Sequence, residues 1–529
     1  MTRVRGPLAG VAILLLGPVL LAGAETIRFE DVTSSALADL VPYPPAEVRV
    51  ESVADAIGSG FAVADYDADG RLDIYLAAPV PGRLAGAGGS GRLLRQLAAG
   101  TFEDVTARAG AWGPPLASGA AAADYDGDGF VDLVVTGRVG TRLLRNNAGR
   151  GFEDVTRAAG LQGPAWGTTP LFFDADADGK LDLLLPSFVE LDAERRVFYR
   201  PDGFPAPAAY MPAAPRFFRN LGNGTFTDAT RAARLDLPMR ALGALAFDHD
   251  LDGKTDLYFA CEGMQSELFR GLGDGTFSRT GPATGLWYPA GGEGSGFHGV
   301  AVWSGAGEDG RPGLLLTDGG FGALFRPAQP PAFEDRSVAS GLAAALGNAP
   351  GWGCSVADFD ADGEDDLFVT RGGFAHPAPA ESRVLQGLGQ GELRDVTDST
   401  GTALKSRAVG RASAAVDLDG DGTLDILETA LDRPLRILRG TRPTANRSLR
   451  LSLGAGAVPG ARVEVTAGGR TWSRQLTAGG YLSSVPPIVH VGLGPRDSLD
   501  SVRVVWPSGK VLDVDVTGIP ASVVEVPQQ

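Results

Sequence analysis

The sequence predicts an all-β protein, in which a seven-bladed β-propeller is followed by a small β-sandwich-like domain. Three observations lead to this prediction. An acidic nine-residue loop recurs six times, apolar and β-branched segments flank each copy, and a short segment similar to FEDVT lies between successive units. Units of about 50–60 residues with four short strands each are typical of propeller blades. The 75 glycines and 36 prolines suit many short strands joined by turns.

The first 24 residues are predicted to be an export signal. Arg3 and Arg5 give a positive start, Leu8–Leu21 is apolar, and cleavage is expected after Ala24. An uncleaved membrane anchor is the alternative. We therefore expect a secreted or periplasmic protein with no membrane span after cleavage. Residues 25–441 should form the propeller and residues 442–529 the C-terminal domain.

The acidic loop is first seen at Asp65–Asp73, which reads DYDADGRLD. Every copy has Asp at positions one, three, five and nine and Gly at position six, where a sharp turn needs unusual backbone angles. The other copies are Asp124–Asp132, Asp174–Asp182, Asp248–Asp256, Asp358–Asp366 and Asp417–Asp425. Four carboxylates this close repel one another without a cation, and Ca²⁺ takes about six to eight oxygen ligands. The sequence therefore predicts about six Ca²⁺ sites.

The predicted ligands are the four carboxylates of each loop and the backbone carbonyl of position seven, with a water completing the shell. They are Asp65, Asp67, Asp69, Arg71, Asp73, Asp124, Asp126, Asp128, Phe130, Asp132, Asp174, Asp176, Asp178, Lys180, Asp182, Asp248, Asp250, Asp252, Lys254, Asp256, Asp358, Asp360, Asp362, Glu364, Asp366, Asp417, Asp419, Asp421, Thr423 and Asp425. The expected role of each ion is structural, to rigidify a turn between two strands. A ligand-bridging or catalytic metal is the alternative.

These loops are not EF-hands. An EF-hand has helices on both sides and a bidentate Glu at position twelve, whereas position twelve here is apolar in every copy except the last, which has Glu428. We name the four strands of each unit A, B, C and D, with the acidic loop joining A to B.

A seventh unit without the acidic loop is predicted in the long interval between the fourth and fifth copies. Gly299–Trp303 matches a strand A and Gly313–Thr317 a strand B, but the segment between them keeps only Asp309 and Gly310. The last unit has no strand D of its own, while a spare copy, Arg28–Thr33, precedes the first loop. We therefore expect the N-terminal segment to complete the seventh blade, which removes the exposed sheet edge.

The blades resemble the FG-GAP/VCBS repeats of integrin α-subunit propellers and of bacterial exported proteins. Residues about 444–529 resemble the ASPIC/UnbV domain, through Pro459–Val465, Gly479–Ser484, His490–Gly494 and Val502–Gly509. Together they resemble the CRTAC1-like family of cartilage acidic proteins and their bacterial relatives, over nearly the whole mature chain. The resemblance implies the architecture more than an activity, and it implies no metal in the fifth blade.

The C-terminal domain also has a pattern of its own. Alternating apolar and polar residues separated by Gly/Pro turns predict a small β-sandwich after a linker at Arg442–Asn446. The predicted strands are Arg447–Leu453, Arg462–Thr466, Val489–Leu493, Val502–Trp506 and Val511–Val516.

Composition and motifs exclude several classes of function. The net charge of −17 argues against nucleic-acid binding, which needs a basic surface. Two cysteines, Cys261 and Cys354, give no disulfide framework, although a single bridge between them is an alternative. The sequence has four histidines but no GxSxG or HExxH motif. We therefore expect no catalytic residues and no enzyme.

A ligand is expected on the propeller face opposite the acidic loops, where the B–C and D–A connections lie. Aromatic residues in these connections can stack on sugars or anchor a protein. The candidates are Trp166, Tyr199, Phe204, Tyr210, Trp287, Tyr288 and Trp352. Aromatics that fill the central channel or cover blade ends are the alternative.

The predicted function is thus non-enzymatic, calcium-dependent binding or adhesion, with an extracellular protein or glycan as the ligand. The alternative is a calcium-dependent propeller enzyme, a lyase or hydrolase acting on polysaccharide. An acid–base pair with Arg or Lys in the channel favours the enzyme, and a diverse aromatic channel favours binding.

Overall fold

The structure is a computed structural model. It describes residues 27–38, 53–77, 90–98, 100–161, 166–190, 207–286, 296–304, 307, 309–374, 376–441, 445–454, 456–516 and 523–525. The predicted export signal and most of the predicted linker lie outside these residues. No helix in the described part of the chain is long and apolar enough to span a membrane.

Seven antiparallel sheets, each containing four propeller strands, form the blades, and in six of them the four strands are successive in the chain. Blade one has β2 (Phe61–Ala64), β3 (Asp73–Leu76), β4 (Arg92–Ala98) and β5 (Thr101–Asp104). Blade two has β6 (Ala117–Ala123), β7 (Asp132–Gly137), β8 (Gly140–Asn146) and β9 (Phe152–Asp154). Blade three has β10 (Leu171–Phe173), β11 (Asp182–Leu185), β12 (Arg216–Asn220) and β13 (Phe226–Asp228).

The next three blades repeat this order. Blade four has β14 (Ala241–Phe247), β15 (Asp256–Cys261), β16 (Glu267–Gly271) and β17 (Phe277–Arg279). Blade five has β18 (Phe297–Trp303), β19 (Gly313–Asp318), β20 (Ala323–Pro327) and β21 (Phe333–Asp335). Blade six has β22 (Gly351–Ala357), β23 (Asp366–Arg371), β24 (Arg383–Gly387) and β25 (Leu393–Asp395).

The N-terminal strand completes blade seven, which confirms the predicted closure. This blade has β26 (Gly410–Val416), β27 (Asp425–Ala430), β28 (Arg436–Thr441) and β1 (Arg28–Asp31). Arg28 pairs with Thr441 and Asp31 with Leu438, antiparallel. The ring is then closed between blades seven and one, since the Thr429 hydroxyl donates to the Ser59 carbonyl at 2.6 Å.

The recurring FEDVT segment pins strand D to strand C. In blade one, Asp104 accepts hydrogen bonds from the backbone N–H of Thr106 at 3.0 Å and from its hydroxyl at 2.6 Å. The Thr106 hydroxyl in turn accepts the N–H of Leu93 in β4 at 2.8 Å.

Short helical turns lie in several of the connections between strands. The α-helices are α1 (Thr33–Ala36), α2 (Val53–Ile57), α3 (Thr106–Ala109) and α4 (Leu342–Leu346), and 3₁₀ turns lie at Pro207–Ala209, Gly281–Thr284, Thr397–Ser399 and Ala403–Lys405.

The C-terminal domain is a β-sandwich with one three-stranded and one four-stranded sheet. Its strands are β29 (Arg447–Ser452), β30 (Arg462–Ala467), β31 (Arg470–Gln475), β33 (Ile488–Gly494), β34 (Ser501–Val505), β35 (Val511–Val514) and β36 (Val523–Glu525). Leu449, Leu451, Val463, Val465 and Trp472 are buried between the two sheets. The five predicted strands are therefore present, and β31 and β36 are additional.

One further strand of this domain, β32 (Ala478–Tyr481), leaves the sandwich and enters the propeller channel. It pairs antiparallel with β14, the strand A of blade four, as a fifth strand of that sheet. The Tyr481 hydroxyl donates to the Ile57 carbonyl at 2.8 Å, and the N–H of Leu482 donates to the Thr169 hydroxyl at 2.8 Å. We call Ala478–Ser484 the plug. The segment GGYLSS carries the resemblance to the ASPIC/UnbV domain, and nothing in its sequence predicts this role.

Candidate metal centres on one face of the propeller

The six acidic loops share one backbone conformation. The Gly at position six has a left-handed φ in each copy, from +82° at Gly179 to +97° at Gly363, as the sequence predicts. Position four is left-handed as well, and in four copies it is not Gly, for example Ala68 at +57°. The N–H of the position-six Gly donates to the position-one carboxylate in every copy, at 2.8 Å between Gly70 and Asp65.

The Asp at position five orients the next part of the loop. One of its oxygens accepts the N–H of position seven in each copy, at 3.1 Å between Asp69 and Arg71 and at 2.7 Å between Asp421 and Thr423. This bond anchors the backbone N–H of position seven, the residue whose carbonyl was predicted to be a ligand.

The Asp at position nine ties the loop to the rest of its blade. In blade one, Asp73 accepts the N–H of Tyr66 at 3.1 Å and the N–H of Gln96 in strand C at 2.8 Å. The same pair of bonds recurs in the other five copies. In the five copies other than the fourth, each oxygen keeps a second lone pair for a cation.

Burial disfavours the ionised form of these position-nine carboxyls in the metal-free protein. Desolvation, reinforced by the neighbouring carboxylates, raises the pKa of Asp73, Asp182 and Asp425 to about 7 and that of Asp132 to about 8. A bound divalent cation supplies the charge that would keep these carboxyls ionised.

The Asp at position three carries the observation that best fits a cation. In the first four loops, one oxygen of this carboxylate is buried and has no hydrogen-bond partner; the residues are Asp67, Asp126, Asp176 and Asp250. A buried carboxylate oxygen without a partner is costly. In the first three loops, positions one, three and nine each place an oxygen within 4.8 Å of the others. Ca²⁺ bonds oxygens at about 2.3–2.6 Å, so one ion can reach all three. The residues present therefore fit Ca²⁺.

A side chain from strand C contacts the position-three carboxylate, and this contact was not predicted from the sequence. Arg95 Nε lies 2.5 Å from Asp67, and Arg270 Nε lies 2.7 Å from Asp250. In blade six, the amide of Gln386 replaces the Arg and donates to Asp360 at 2.6 Å. The recurring basic residue at the end of segments such as RLLR is the signal that could have identified these partners.

The fourth loop differs at position two, where His249 was assigned no ligand role. Its Nδ1 lies 2.5 Å from an oxygen of Asp256, and both residues are buried. His249, Asp250 and Asp256 form a second group of atoms that could hold a metal. In blade five, by contrast, Asp309 pairs with Arg311 at 2.7 Å.

The C-terminal domain covers the loops of blades four, six and seven. The Trp472 indole donates to the Gly363 carbonyl at 2.9 Å, and Arg450 donates to Asp417 at 3.1 Å. The side chain of Gln475 bonds both the N–H and the carbonyl of Asp248, at 3.0 and 3.1 Å. Three of the six loops therefore lie at an interdomain interface.

The predicted aromatic binding residues are distributed differently from the expectation. Trp166 and Trp352 are buried in the core around the channel, which corrects the expectation that they are exposed on the opposite face. Tyr210 is half-buried against the same core. Tyr199, Phe204, Trp287 and Tyr288 lie outside the described residues. The alternative, in which aromatics fill the channel, describes the two tryptophans.

The channel core also contains three ionisable side chains, those of His298, Arg411 and Glu262. The Trp352 ring stacks on His298 at 4.2 Å between centroids, and the Arg411 guanidinium lies 3.9 Å from the Trp352 ring. His298 Nε2 lies 3.0 Å from Glu262. His298 and Arg411 are almost fully buried, and the plug residue Tyr481 packs on Trp352. His298 and Arg411 are thus enclosed in the core of the channel.

Both cysteines are buried and unbridged, so the alternative of a Cys261–Cys354 disulfide is wrong. Burial also raises the pKa of each thiol well above its usual value.

Comparison with known proteins agrees with this architecture. Models of the FG-GAP-like repeat match residues 65–135, 124–185 and 358–428, and the ASPIC and UnbV model matches residues 455–521. Cartilage acidic protein 1 of Mus musculus is 26% identical over 57% of this chain and 39% of its own length. The Homo sapiens protein is 26% identical over 59% and 40%. The chain thus spans about two fifths of these relatives.

Among solved structures, the BP39L lectin of Burkholderia pseudomallei is 13% identical, with a TM-score of 0.44 over 72% of this chain and 95% of that one. A lectin of Agrocybe aegerita is 18% identical, with a TM-score of 0.40 over 70% and 85%. The family models show that this chain contains FG-GAP-like repeats followed by an ASPIC and UnbV domain, and the curated relatives to which it is similar are cartilage acidic proteins.

Proposed function

We propose that the protein is a secreted or periplasmic, non-enzymatic binding protein of the adhesion type, whose calcium-loaded loops stabilise the propeller. Its protein or glycan ligand contacts the face opposite those loops. The observation that carries this proposal is the coverage of the loop face. The C-terminal domain lies on three of the six loops, and its plug fills the channel.

The opposite face has exposed apolar side chains suited to a partner. Val139, Met211 and Phe321 lie in B–C connections, and Leu116 and Val338 lie in D–A connections. They are 45–79% exposed. Exposed apolar residues in the connections of one face can contribute to an interaction surface.

Calcium holds this face in place only indirectly. Each ion would be bound by the carboxylates and the position-seven carbonyl of one A–B loop, and it would supply charge neutralisation there. The strands that leave the loop then position the B–C and D–A connections at their far ends.

The full mature chain should be tested on a glycan array and on an array of extracellular proteins, with calcium and with EDTA. We expect a ligand whose binding is lost in the double variant Phe321→Ser/Met211→Ser. Leu388→Ser is the matched control, because Leu388 is 49% exposed but lies in a C–D connection on the loop face. A ligand lost only in the control would contradict the proposal. Cleavage of a polysaccharide, seen as new reducing or unsaturated ends, would favour the alternative enzyme.

A further inference from the structure

A cavity of about 230 Å³ lies between the two domains, at the loop-face end of the channel. Its walls come from the A strands of blades five to seven, from the base of the plug, and from β33 of the sandwich. Pockets for drug-sized ligands are usually about 300–1,000 Å³, so this cavity suits one small ring. It is separate from the face assigned to the ligand above and goes beyond the proposed function.

Two serine hydroxyls in this cavity have no partner. Ser355 of β22 and Ser413 of β26 line it, and each is only 7% exposed. Neither hydroxyl forms a hydrogen bond in the described part of the chain. The Nε of Arg450, which also lines the cavity, is a third buried group without a partner. Buried polar groups are normally hydrogen-bonded, so these three indicate a missing polar molecule.

The two arginines that line the cavity already have carboxylate partners. Arg450 donates to Asp417 at 3.1 Å, and Arg474 lies 2.8 Å from Asp365. A charged ligand would therefore have to compete with an existing ion pair. The two serines and Arg450 offer two hydroxyls, which both donate and accept, and one N–H donor, while the Asp417 oxygen that also has no partner belongs to a predicted metal site. The ligand that best matches these groups is a neutral molecule rich in hydroxyl groups.

Another part of the wall is apolar. Val300, Val302, Val356 and Ile488 line the cavity beside the two hydroxyls. A sugar ring combines these requirements, since it presents hydroxyls at its edge and C–H groups on its faces. We propose that this interdomain cavity binds a single neutral monosaccharide ring, either as a free sugar or as the terminal residue of a chain.

The test is titration calorimetry of the full calcium-loaded chain with glucose, galactose, mannose, fucose and N-acetylglucosamine, and with disaccharides that end in each. We expect one-to-one binding of at least one sugar. The double variant Ser355→Ala/Ser413→Ala should weaken it by about tenfold or more, because two hydrogen bonds are lost. Binding of the free sugar alone identifies a free ligand, and binding of the disaccharide as well identifies a chain end.

Melting curves show whether weaker sugar binding by the double variant could result from a loss of folding. Removing an unpartnered buried hydroxyl is neutral or stabilising, so the double variant should melt at or above the wild-type temperature. Ser187→Ala is the matched control, since Ser187 is also fully buried and unpartnered but lies outside the cavity. It should bind the sugar like the wild type. The proposal is overturned if no sugar binds more tightly than about 1 mM, if acetate or phosphate binds instead, or if the double variant binds as well as the control.

Discussion

Gly492 provides a sharp test of how the C-terminal domain lies on the sixth-blade loop. A Cβ built on Gly492 would lie 1.8 Å from an oxygen of Asp358, the position-one carboxylate, and 2.7 Å from the backbone of Ala361. Real Cβ atoms essentially never come within 3.0 Å of a neighbour. Asp358 is 3% exposed and is held by the N–H of Gly363 at 2.8 Å, so it has little room to move.

The substitution Gly492→Ala should therefore displace either the domain or the metal loop. Overpacking of this kind costs about 1–3 kcal/mol, and disturbing a calcium site adds up to about 2.7 kcal/mol at a hundredfold excess of metal over Kd. We expect a lower melting temperature in calcium and the loss of one ion in elemental analysis. Gly456→Ala is the matched control in the same domain, because its Cβ would meet nothing within 4 Å. Equal melting temperatures and equal calcium content in the two variants would refute this account of the interface.

The other predictions concern metal, pH and blade closure. EDTA should lower the melting temperature steeply, and Ca²⁺ should restore it better than Mg²⁺, which prefers a tighter octahedral shell. The control variant Asp309→Ala in blade five should melt like the wild type. A melting temperature that EDTA does not change would contradict the structural role of the metal ions. Because burial raises the pKa of Asp73 to about 7 and that of Asp132 to about 8, the metal-free folded protein binds protons that the unfolded chain releases near about pH 4. This stabilisation is complete below about pH 4 and lost as the pH rises through about 7 and 8, so melts in EDTA should be lower at about pH 9 than at about pH 6, and the reverse order counts against the assignment. Phe29→Ala in the closing strand should lower the free energy of unfolding by about 3–5 kcal/mol in denaturant unfolding, because Phe29 is buried against Phe359. The control Glu30→Ala should lower it little, because Glu30 is exposed. Equal effects of the two variants would show that packing of the closing strand does not stabilise the propeller.

Much of the propeller could be predicted from the sequence because its determinants are local and repeated. The acidic loop identifies the A–B turn in six blades, and the Asp-x-Thr segment identifies most of the D strands through bonds within a few residues and to the adjacent strand. The spare copy at Arg28–Thr33 then determines the closure, and β1 pairs with β28 as expected.

The plug and the domain interface could not be predicted in the same way. β32 is a short, glycine-rich segment, and its partner β14 lies more than two hundred residues earlier in the chain. No local periodicity marks such a pairing. Trp166 and Trp352 belong to the same core as the plug, and Trp352 contacts the plug residue Tyr481 directly. An aromatic residue in a connection looks the same in the sequence whether it faces solvent or the channel.

The most direct test of the account is the calcium content of the purified full mature chain, measured by elemental analysis after gel filtration in calcium buffer. We predict six ions per chain, one for each acidic loop and none in blade five. Single variants Asp126→Asn and Asp360→Asn should each remove one ion, whereas Asp309→Asn should remove none. A content of one or two ions, or a loss caused by Asp309→Asn, would contradict the assignment of these loops as metal centres.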